Sequence, residues 1–387
     1  MPALQLPTVD GRLEVYRTKM PRVWAGRSER FDRIALSAAH VVADPFADND
    51  PWLTPAIDWE ATIRYRQYVW SLGLGVAEAM DTAQRGMGLG WTESLALISR
   101  SIDASRDVPG AVLFSGAGTD HVVPHAAVTL DDVIRGYEEQ VAAIEGLGGR
   151  IILMASRALA VAARTPDDYG KVYARILRQV REPVIIHWLG EMFDPALKGY
   201  WGSLDHYAAM DVCLAIIADH ASKVDGIKIS LLDKDKEIAM RRRLPRGVKM
   251  YTGDDFNYPE LIAGDQDGYS HALLGIFDAI APAASAALSA HKRGDLTEYH
   301  SILEPTLPLA RHIFKAPTQF YKTGVVFMAY LNGHQSHFAM VGGQQSARSL
   351  VHLADIFRLA DAAGLLSDPD LAVARMKAVL TVHGIDG

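Results

Sequence analysis

Lys228 is the residue whose type and position in this sequence best predict chemistry. It lies within residues 224–230, where Val224, Ile227 and Ile229 are β-branched, a composition that favours a strand buried in a parallel sheet. If that strand belongs to a barrel, Lys228 points inward near its C-terminal end, and apolar surroundings lower its pKa from about 10.4. A neutral lysine amine attacks carbonyl carbon atoms, so the segment predicts imine chemistry. An exposed lysine at the end of a strand is the alternative.

His187 could move protons beside such a lysine. It lies near the end of an apolar run at residues 183–188, which predicts the strand immediately before that of Lys228. An imidazole titrates close to neutral pH, so it could carry protons while an imine forms and breaks down. We therefore predict Lys228 and His187 as the catalytic residues. The alternative for His187 is a buried histidine that only satisfies a hydrogen bond in the core.

The candidate substrate-binding residues share one property, which is that each lies at or just after the end of an apolar run that predicts a strand. They are Asp81, Thr82, Gln84, Ser115, Thr119, Trp188, Thr252 and Asp254. Their polar groups could orient an oxygenated substrate. Simpler alternatives stay open, because residues 115–120 also fit a turn and Asp254 with Asp255 is typical of a helix N-cap. The glycine-rich segment 86–90 is either a flexible loop at the active site or a plain turn.

Histidines are numerous enough to raise the question of a metal. His334 and His337 are three residues apart, and His121, His125 and His271 add imidazoles that could bind zinc. The sequence contains neither the His-Glu-x-x-His motif of metalloproteases nor the Gly-x-Ser-x-Gly motif of serine hydrolases. We therefore predict no metal site and no cofactor.

Apolar runs and helical patterns alternate along the chain up to residue 292. The runs lie at residues 34–42, 75–81, 111–116, 150–155, 183–188, 224–230 and 247–253, with an eighth within 268–280. Eight strand–helix units predict the α/β class and a closed (β/α)8 TIM barrel. An open doubly wound sheet is the alternative, but no Gly-x-Gly-x-x-Gly follows the first run. The C-terminal ends of barrel strands meet at one mouth, which would bring the candidate residues together.

We divide the chain into three regions. Residues 1–30 form an N-terminal arm, residues 31–292 the barrel, and residues 293–387 a helical C-terminal region. Helical patterns in the last region cover residues 295–314, 319–331, 345–363 and 368–381. Their apolar faces would pack against the chain's own barrel or against another subunit, so we expect a homodimer or a homotetramer.

Composition excludes several classes of partner. The net charge of −7 and the lack of a basic stripe argue against a nucleic-acid partner. Cys213 is the only cysteine, which leaves no disulfide framework and suits a reducing compartment. No apolar signal-peptide core is present near the N-terminus, and no apolar run reaches the roughly 18 residues of a membrane span. We expect a cytoplasmic protein that binds a small-molecule carbonyl substrate.

Several motifs, concentrated between residues 180 and 335, resemble the dihydrodipicolinate synthase and N-acetylneuraminate lyase family. They are the strand around Lys228, the strand at residues 183–186, the Tyr-Thr-Gly-Asp-Asp segment at 251–255, Asp267-Gly268, and residues 315–317 followed by 322–324. The resemblance implies a (β/α)8 barrel with a helical C-terminal region, often a tetramer built of dimers. It also implies that Lys228 forms an imine with a 2-oxo acid such as pyruvate.

Three of that family's usual motifs are missing. His187 and Trp188 stand where the family has a Tyr-Asn pair, whose tyrosine relays protons. Residues 80–85 stand where it has Gly-Thr-Thr-Gly-Glu, which binds the carboxylate of the oxo acid, and residues 191–193 replace an arginine. Carboxylate binding is therefore not implied by the resemblance. Arg85 and Arg157 could form an anion clamp instead, or they could be partners in structural salt bridges.

We interpret the sequence as a Schiff-base lyase or aldolase that cleaves or forms a C–C bond next to the carbonyl group of a small oxo acid or keto sugar. Lys228 would attack the carbonyl carbon, and the protonated imine would act as an electron sink. One alternative is a metal-dependent aldolase or sugar isomerase. Another is a barrel that has lost catalysis and serves as a binding or regulatory subunit.

Overall fold

An antiparallel hairpin opens the chain. The computed structural model describes residues 1–26 and 30–385, so residues 27–29 of the predicted arm and residues 386–387 of the predicted C-terminal region lie outside the described residues. The hairpin strands are β1 (Ala3–Pro7) and β2 (Leu13–Arg17). Leu4 and Leu6 of β1 are buried in a core that also contains barrel and C-terminal residues. Because the regions share this core, the division into three stays a prediction.

Eight parallel strands close into a barrel, as predicted. Strand β10 pairs with both β3 and β9, which completes the ring. The barrel strands are β3 (Ala35–Ala38), β4 (Gly75–Glu78), β5 (Leu113–Ala117), β6 (Arg150–Leu153), β7 (Val184–Leu189), β8 (Val224–Ser230), β9 (Lys249–Thr252) and β10 (His271–Leu274). The predicted (β/α)8 fold is therefore confirmed.

Ten helices follow the barrel strands or cover their outer face. They are α1 (Trp59–Ser71), α2 (Trp91–Arg106), α3 (Leu130–Gly146), α4 (Arg157–Ala162), α5 (Pro166–Gln179), α6 (His206–Asp219), α7 (Lys234–Arg241), α8 (Tyr258–Ala263), α9 (Ile276–Ala279) and α10 (Ala281–Lys292) in the described part of the chain. Local sequence explains several of their starts. Thr129 and Asp132 form a capping box before α3, and Pro166 is the first residue of α5.

Five helices make up the C-terminal region within the described residues. They are α11 (Leu296–Leu303), α12 (Leu307–Ile313), α13 (Tyr321–Leu331), α14 (Leu350–Ala362) and α15 (Pro369–Val382). Every residue of α13 is buried, and this helix packs against α9 and against the short turn that follows β4. The apolar tail therefore covers the chain's own barrel at α13, one of the two arrangements expected from the sequence.

Alternation of side chains along each strand separates the barrel interior from its outer shell. Ile185 of β7 lies in a small interior cluster with Leu36, Phe114 and Tyr251, whereas Ile186 lies in the outer core beneath the helices. Since neighbouring residues alternate, His187 points inward like Ile185. No helix in the described residues is long and apolar enough to cross a membrane.

Candidate active site

Lys228 lies on the inward face of β8, near its C-terminal end. Its neighbours Ile227 and Ile229 both point into the outer core, which leaves the lysine side chain directed into the barrel. The residue is only 7% exposed. Within the part of the chain that the structure describes, the Lys228 amine makes neither a hydrogen bond nor an ion pair. An unpaired buried amine is a rare arrangement, because burial without a partner is costly for an ammonium ion.

A small chamber lies in front of Lys228, with a volume of about 10 Å³. Its apolar lining includes Leu189, Phe193 and Phe314. The polar lining consists of Asp81, Thr82, Ser230, Asp255 and Tyr321. A space of this size holds about one water molecule. A carbonyl substrate must therefore displace some of these side chains or extend into neighbouring space.

Burial and charge act in opposite directions on the Lys228 amine. Burial lowers the pKa of Lys228 below its usual value, and the nearby carboxylates of Asp255 and Asp81 oppose that change. Burial raises the pKa of Asp255, although its Oδ1 accepts a hydrogen bond of 2.8 Å from the backbone N–H of Ile276. Both effects of burial favour the uncharged forms of the two groups. The chamber therefore favours a free amine beside a carboxyl group.

His187 is directly opposite Lys228 in the register of β7 and β8. Its side chain is completely buried, and Nε2 lies 3.2 Å from the hydroxyl oxygen of Ser230. Burial holds the pKa of His187 well below its usual value, and Lys228 lowers it further whenever the lysine carries its proton. The imidazole is therefore neutral near neutral pH. Because Ser230 also lines the lysine chamber, its hydroxyl connects that chamber to His187.

A second cavity of about 90 Å³ adjoins the chamber. Asp81 and Leu189 line both spaces, so these two residues stand at the boundary between them. About half of the residues that line the larger cavity have polar side chains, and they include Arg85, Thr119, Asp120, Ser156, Arg157, His187 and Asp194. This cavity offers the hydrogen-bonding groups that an oxygenated substrate would require.

Both arginines of the larger cavity already have carboxylate partners. Arg85 Nη2 lies 2.6 Å from Asp120, and Arg157 Nε lies 2.5 Å from Asp194. The Arg85 side chain is buried, whereas that of Arg157 is 47% exposed. Of the two functions weighed for these arginines, the structure therefore favours salt bridges. A substrate anion would have to compete with an aspartate for either guanidinium group.

The structure brings five of the predicted site residues together. Lys228, Asp81 and Thr82 line the chamber, and Asp81, Thr119 and His187 line the adjoining cavity. Each follows from the predicted topology, because all lie at or just beyond the C-terminal ends of strands β4, β5, β7 and β8.

The other predicted substrate-binding residues line neither space. Gln84 donates through Nε2 to the carbonyl of Val341, and Thr252 accepts from the backbone N–H of Asp254. Asp254 itself accepts from the backbone N–H groups of Phe256 and Asn257. These three side chains are therefore engaged in local hydrogen bonds. For Asp254, this is the capping function that was the simpler alternative.

Ser115 and Trp188 are directed away from the barrel interior. Phe114, which precedes Ser115, belongs to the interior cluster, so alternation turns the serine outward. Trp188 follows the inward-pointing His187 and packs in the outer core against Trp201, with ring centroids 6.2 Å apart. Both residues lie at the ends of apolar runs, but alternation along the strand directs their side chains to the outer face of the barrel and not into the cavity.

Sequence reasoning missed several residues that surround Lys228. From the sequence, Asp255 and Asp254 could together stabilise an iminium or bind a metal, but a helix cap is the favoured interpretation of the pair. In the structure the two adjacent carboxylates diverge, and only Asp255 reaches the chamber. Ser230 is two residues after Lys228 on β8 and therefore points inward as well, so alternation along the strand could have identified it from the sequence. Tyr321 lies in the C-terminal region, and no local pattern connects it to the barrel mouth.

A second buried lysine lies close to this site. Lys322, on α13, donates to the carbonyl of Gln319 at 3.0 Å and is 4% exposed. Burial lowers the pKa of Lys322 to about 8, and the negative charge of Asp81 opposes that shift. Lys322 is therefore a second buried lysine with a lowered pKa, although it does not line the chamber.

The histidines do not assemble into a metal centre. Across residues 1–26 and 30–385, no group of three or more His, Cys, Asp or Glu side chains is arranged to hold a metal ion. The rings of His334 and Tyr68 pack at a tilt of 41° with centroids 4.5 Å apart, and His337 accepts a hydrogen bond from the backbone N–H of Ala339. Their regular spacing therefore reflects packing and loop structure.

The fold is similar to that of solved dihydrodipicolinate synthases. A putative dihydrodipicolinate synthetase from Pseudomonas aeruginosa has a TM-score of 0.63 and 16% identity, covering 85% of this chain and 98% of that chain. YagE from E. coli K12, a prophage protein of the dihydrodipicolinic acid synthase family solved in complex with pyruvate, has a TM-score of 0.63 and 14% identity, covering 92% and 99%. The synthase from Aquifex aeolicus has a TM-score of 0.61 and 11% identity, covering 92% of this chain and 99% of that chain. The predicted resemblance is thereby confirmed at the level of the fold.

Sequence comparison adds a family. No curated protein matches the chain. Residues 4–385 match the family described as "Protein of unknown function (DUF993)". Since this match includes the hairpin, the barrel and the C-terminal helices, the chain belongs to the DUF993 family and has the barrel fold of the dihydrodipicolinate synthases.

Proposed function

We propose that this protein is a class I aldolase or lyase that forms an imine between Lys228 and the carbonyl group of a small oxo acid or keto sugar. The observation that carries the proposal is the Lys228 amine itself, which is buried, without a hydrogen-bond partner among the described residues, and directed into a chamber at the C-terminal mouth of the barrel. Active sites of barrel enzymes lie at this mouth.

The electrostatics of the chamber suit both states of the reaction. Before reaction, burial favours the neutral amine, which is the form that attacks a carbonyl carbon. After reaction, the nitrogen of the protonated imine carries a positive charge, which the carboxylates of Asp81 and Asp255 stabilise. The cationic imine withdraws electrons from the neighbouring C–C bond, so that this bond breaks or forms more readily.

His187 and Ser230 provide one path for protons. His187 is neutral, so its unprotonated nitrogen accepts a proton that passes through the Ser230 hydroxyl from the chamber. The side chain of Thr119 and the carboxylate of Asp81 would hold the hydroxyl groups of a substrate that extends into the larger cavity. The proposed substrate is therefore a small, oxygen-rich carbonyl compound.

Reductive trapping tests the proposal. The full-length chain is incubated with pyruvate or with dihydroxyacetone, reduced with borohydride and digested, and the modified peptide is identified by mass spectrometry. We chose pyruvate because YagE, which shares the fold, was solved in complex with it. We expect a covalent adduct on Lys228 and no adduct in the Lys228→Arg variant, because a guanidinium group is not a nucleophile near neutral pH.

Lys322 supplies a matched control, since it is a second buried lysine with a lowered pKa. The Lys322→Arg variant should be modified on Lys228 like the wild type. An adduct on Lys322 alone would show that amine reactivity, and not the barrel chamber, determines modification, and it would refute the proposal. Absence of any adduct would favour a barrel without imine chemistry. Loss of turnover on addition of a chelator would favour the metal-dependent alternative.

We also propose that the protein assembles as a homodimer or homotetramer, as the resemblance to the dihydrodipicolinate synthases implies. Apolar side chains on the hairpin support this, because Leu13 and Val15 of β2 are 46% and 67% exposed. Light scattering coupled to size-exclusion chromatography measures the mass directly. A monomer at micromolar concentration would refute the proposal.

A further inference from the structure

Tyr321 places a phenolic hydroxyl in the chamber of Lys228. It is the first residue of α13, outside the barrel strands, and its side chain is only 4% exposed. Its hydroxyl oxygen lies 2.8 Å from the hydroxyl oxygen of Thr82, in the turn after β4. Tyr321 lines the chamber together with Lys228 and Asp255. The C-terminal helical region therefore contributes a polar group to the space where the proposed imine would form.

Packing fixes the position of that hydroxyl. The Tyr321 ring stacks on Phe314, with centroids 4.4 Å apart and planes inclined by 17°. Phe193 approaches it edge-on at 6.0 Å. A Cβ atom at Gly275 would come within 3.2 Å of the Tyr321 ring and 3.0 Å of Phe314, so a larger residue there would require both rings to shift. Because packing already holds the Tyr321 hydroxyl in place, little conformational entropy is lost when it takes up its position for reaction.

The hydroxyl of Tyr321 is in the right form to donate a proton. Burial raises the pKa of Tyr321 well above its usual value, and the negative charge of Asp81 raises it further. The phenol therefore stays protonated across the neutral range. His187, by contrast, is neutral and suited to accept a proton. The chamber thus offers one donor and one acceptor, supplied by different regions of the chain.

We propose that Tyr321 is a catalytic residue that donates a proton to the substrate oxygen as the imine forms, with Thr82 as the positioning residue that orients its hydroxyl. This inference rests on the proposed imine function of Lys228. It assigns a catalytic group to α13, a helix of the C-terminal region outside the barrel.

The step balances as follows. Lys228 Nζ forms a C–N bond to the carbonyl carbon, and a proton passes from nitrogen to oxygen, which gives a neutral carbinolamine. Tyr321 then protonates the carbinolamine hydroxyl, the C–O bond breaks with its electron pair on the departing water, and the nitrogen lone pair forms the C=N bond. The products are a cationic imine, one water molecule and a tyrosinate. The tyrosinate recovers a proton from the substrate or from water.

The test is a time course of imine formation in the full-length chain with pyruvate as the probe. Samples are quenched with borohydride at increasing times, and the adduct on Lys228 is quantified by mass spectrometry. Phenylalanine at position 321 keeps the stacked ring and removes only the hydroxyl, so we expect Tyr321→Phe to slow imine formation about 100-fold. The final extent of labelling should stay close to that of the wild type, because a proton donor changes the rate and not the equilibrium.

Tyr299→Phe is the matched control. Tyr299 is also buried, its hydroxyl donates to the carbonyl of Pro259 at 2.8 Å, and it does not line the chamber. Its loss should leave the rate unchanged. Should Tyr321→Phe fail to fold, Thr82→Val decides the matter, since it leaves the phenol in place without its partner. We expect Thr82→Val to slow the reaction and Thr82→Ser to restore the rate.

The outcomes separate this inference from the function on which it rests. Labelling of Lys228 at the wild-type rate in Tyr321→Phe, or in Thr82→Val where the first variant does not fold, would overturn the function of Tyr321 and leave the imine function standing. No labelling of Lys228 in the wild type would overturn both. Slow labelling in Tyr321→Phe with normal labelling in Tyr299→Phe is the result that supports the inference.

Discussion

Asp255 allows the electrostatics around Lys228 to be tested quantitatively. The perturbation is Asp255→Asn, which removes a negative charge beside the lysine and changes little else. The asparagine Oδ1 can still accept the 2.8 Å hydrogen bond from the backbone N–H of Ile276. Of the charges that oppose the lowering of the Lys228 pKa by burial, that of Asp255 has the largest effect. Its removal should therefore lower the pKa of Lys228 further.

The size of the effect follows from the geometry of the chamber. A nearby opposite charge shifts a pKa by about 1–3 pH units. Because burial raises the pKa of Asp255 itself, its carboxylate is only partly charged near neutral pH, and we take the lower end of that range. The pKa of Lys228 should fall by about 1 unit, equivalent to about 1.4 kcal/mol. Below its pKa, the variant would then hold about ten times more free amine than the wild type.

The assay is the initial rate of borohydride trapping with pyruvate, measured from about pH 6 to about pH 10, a range that contains the transition of a lysine whose pKa has been lowered. The rate should rise as the amine loses its proton, and the midpoint of that rise should move to lower pH in Asp255→Asn. Asp254→Asn is the matched control, because Asp254 holds the N–H of Phe256 and does not line the chamber. A midpoint that stays unchanged or rises in Asp255→Asn would refute the reasoning.

Two further predictions concern stability. Arg66 and Glu78 form a buried ion pair at the C-terminal end of β4, joined by two hydrogen bonds of 2.9 Å. Arg66→Met would leave the buried Glu78 carboxylate without its partner, so it should lower the free energy of unfolding by about 3–5 kcal/mol in urea titrations. A second substitution, Glu78→Leu, should recover part of that loss; no recovery would show that packing and not the unpaired charge is responsible. The pKa of Lys322 is lowered to about 8, so the unfolded chain binds its proton more tightly and the wild type should lose stability as the pH falls from about 10 to about 8. Lys322→Met should remove this dependence, worth at most about 3 kcal/mol, and equal slopes for both proteins would contradict it.

The sequence was sufficient to predict the barrel and the direction of Lys228. Ile227 and Ile229 are apolar on both sides of the lysine, and a strand with helices packed outside it must turn those residues outward. The same rule would have excluded Trp188 and Ser115, because a shift of one residue along a strand exchanges the two faces. Alternation of side chains along the strand therefore predicts which residues face the cavity better than position at the end of an apolar run does.

Other parts of the site could not be predicted from local patterns. Asp254 and Asp255 are adjacent and chemically identical, and only the path of the turn after β9 decides that one holds backbone N–H groups and the other approaches Lys228. Tyr321 is separated from the barrel strands by several helices, and its contact with Thr82 depends on how α13 packs across the mouth. Tertiary packing of this kind leaves no periodic signal in the sequence.

The C-terminal region consequently does more than cover apolar surface. Burial is the largest cause of the lowered pKa of Lys228, and two residues that seal its chamber, Phe314 and Tyr321, lie beyond the barrel. A barrel that ended at residue 292 would leave the lysine open to water at this side, and its pKa would return toward the usual value of about 10.4. The lowered pKa of Lys228 on which the proposed chemistry depends is therefore a product of the barrel and the C-terminal helices together.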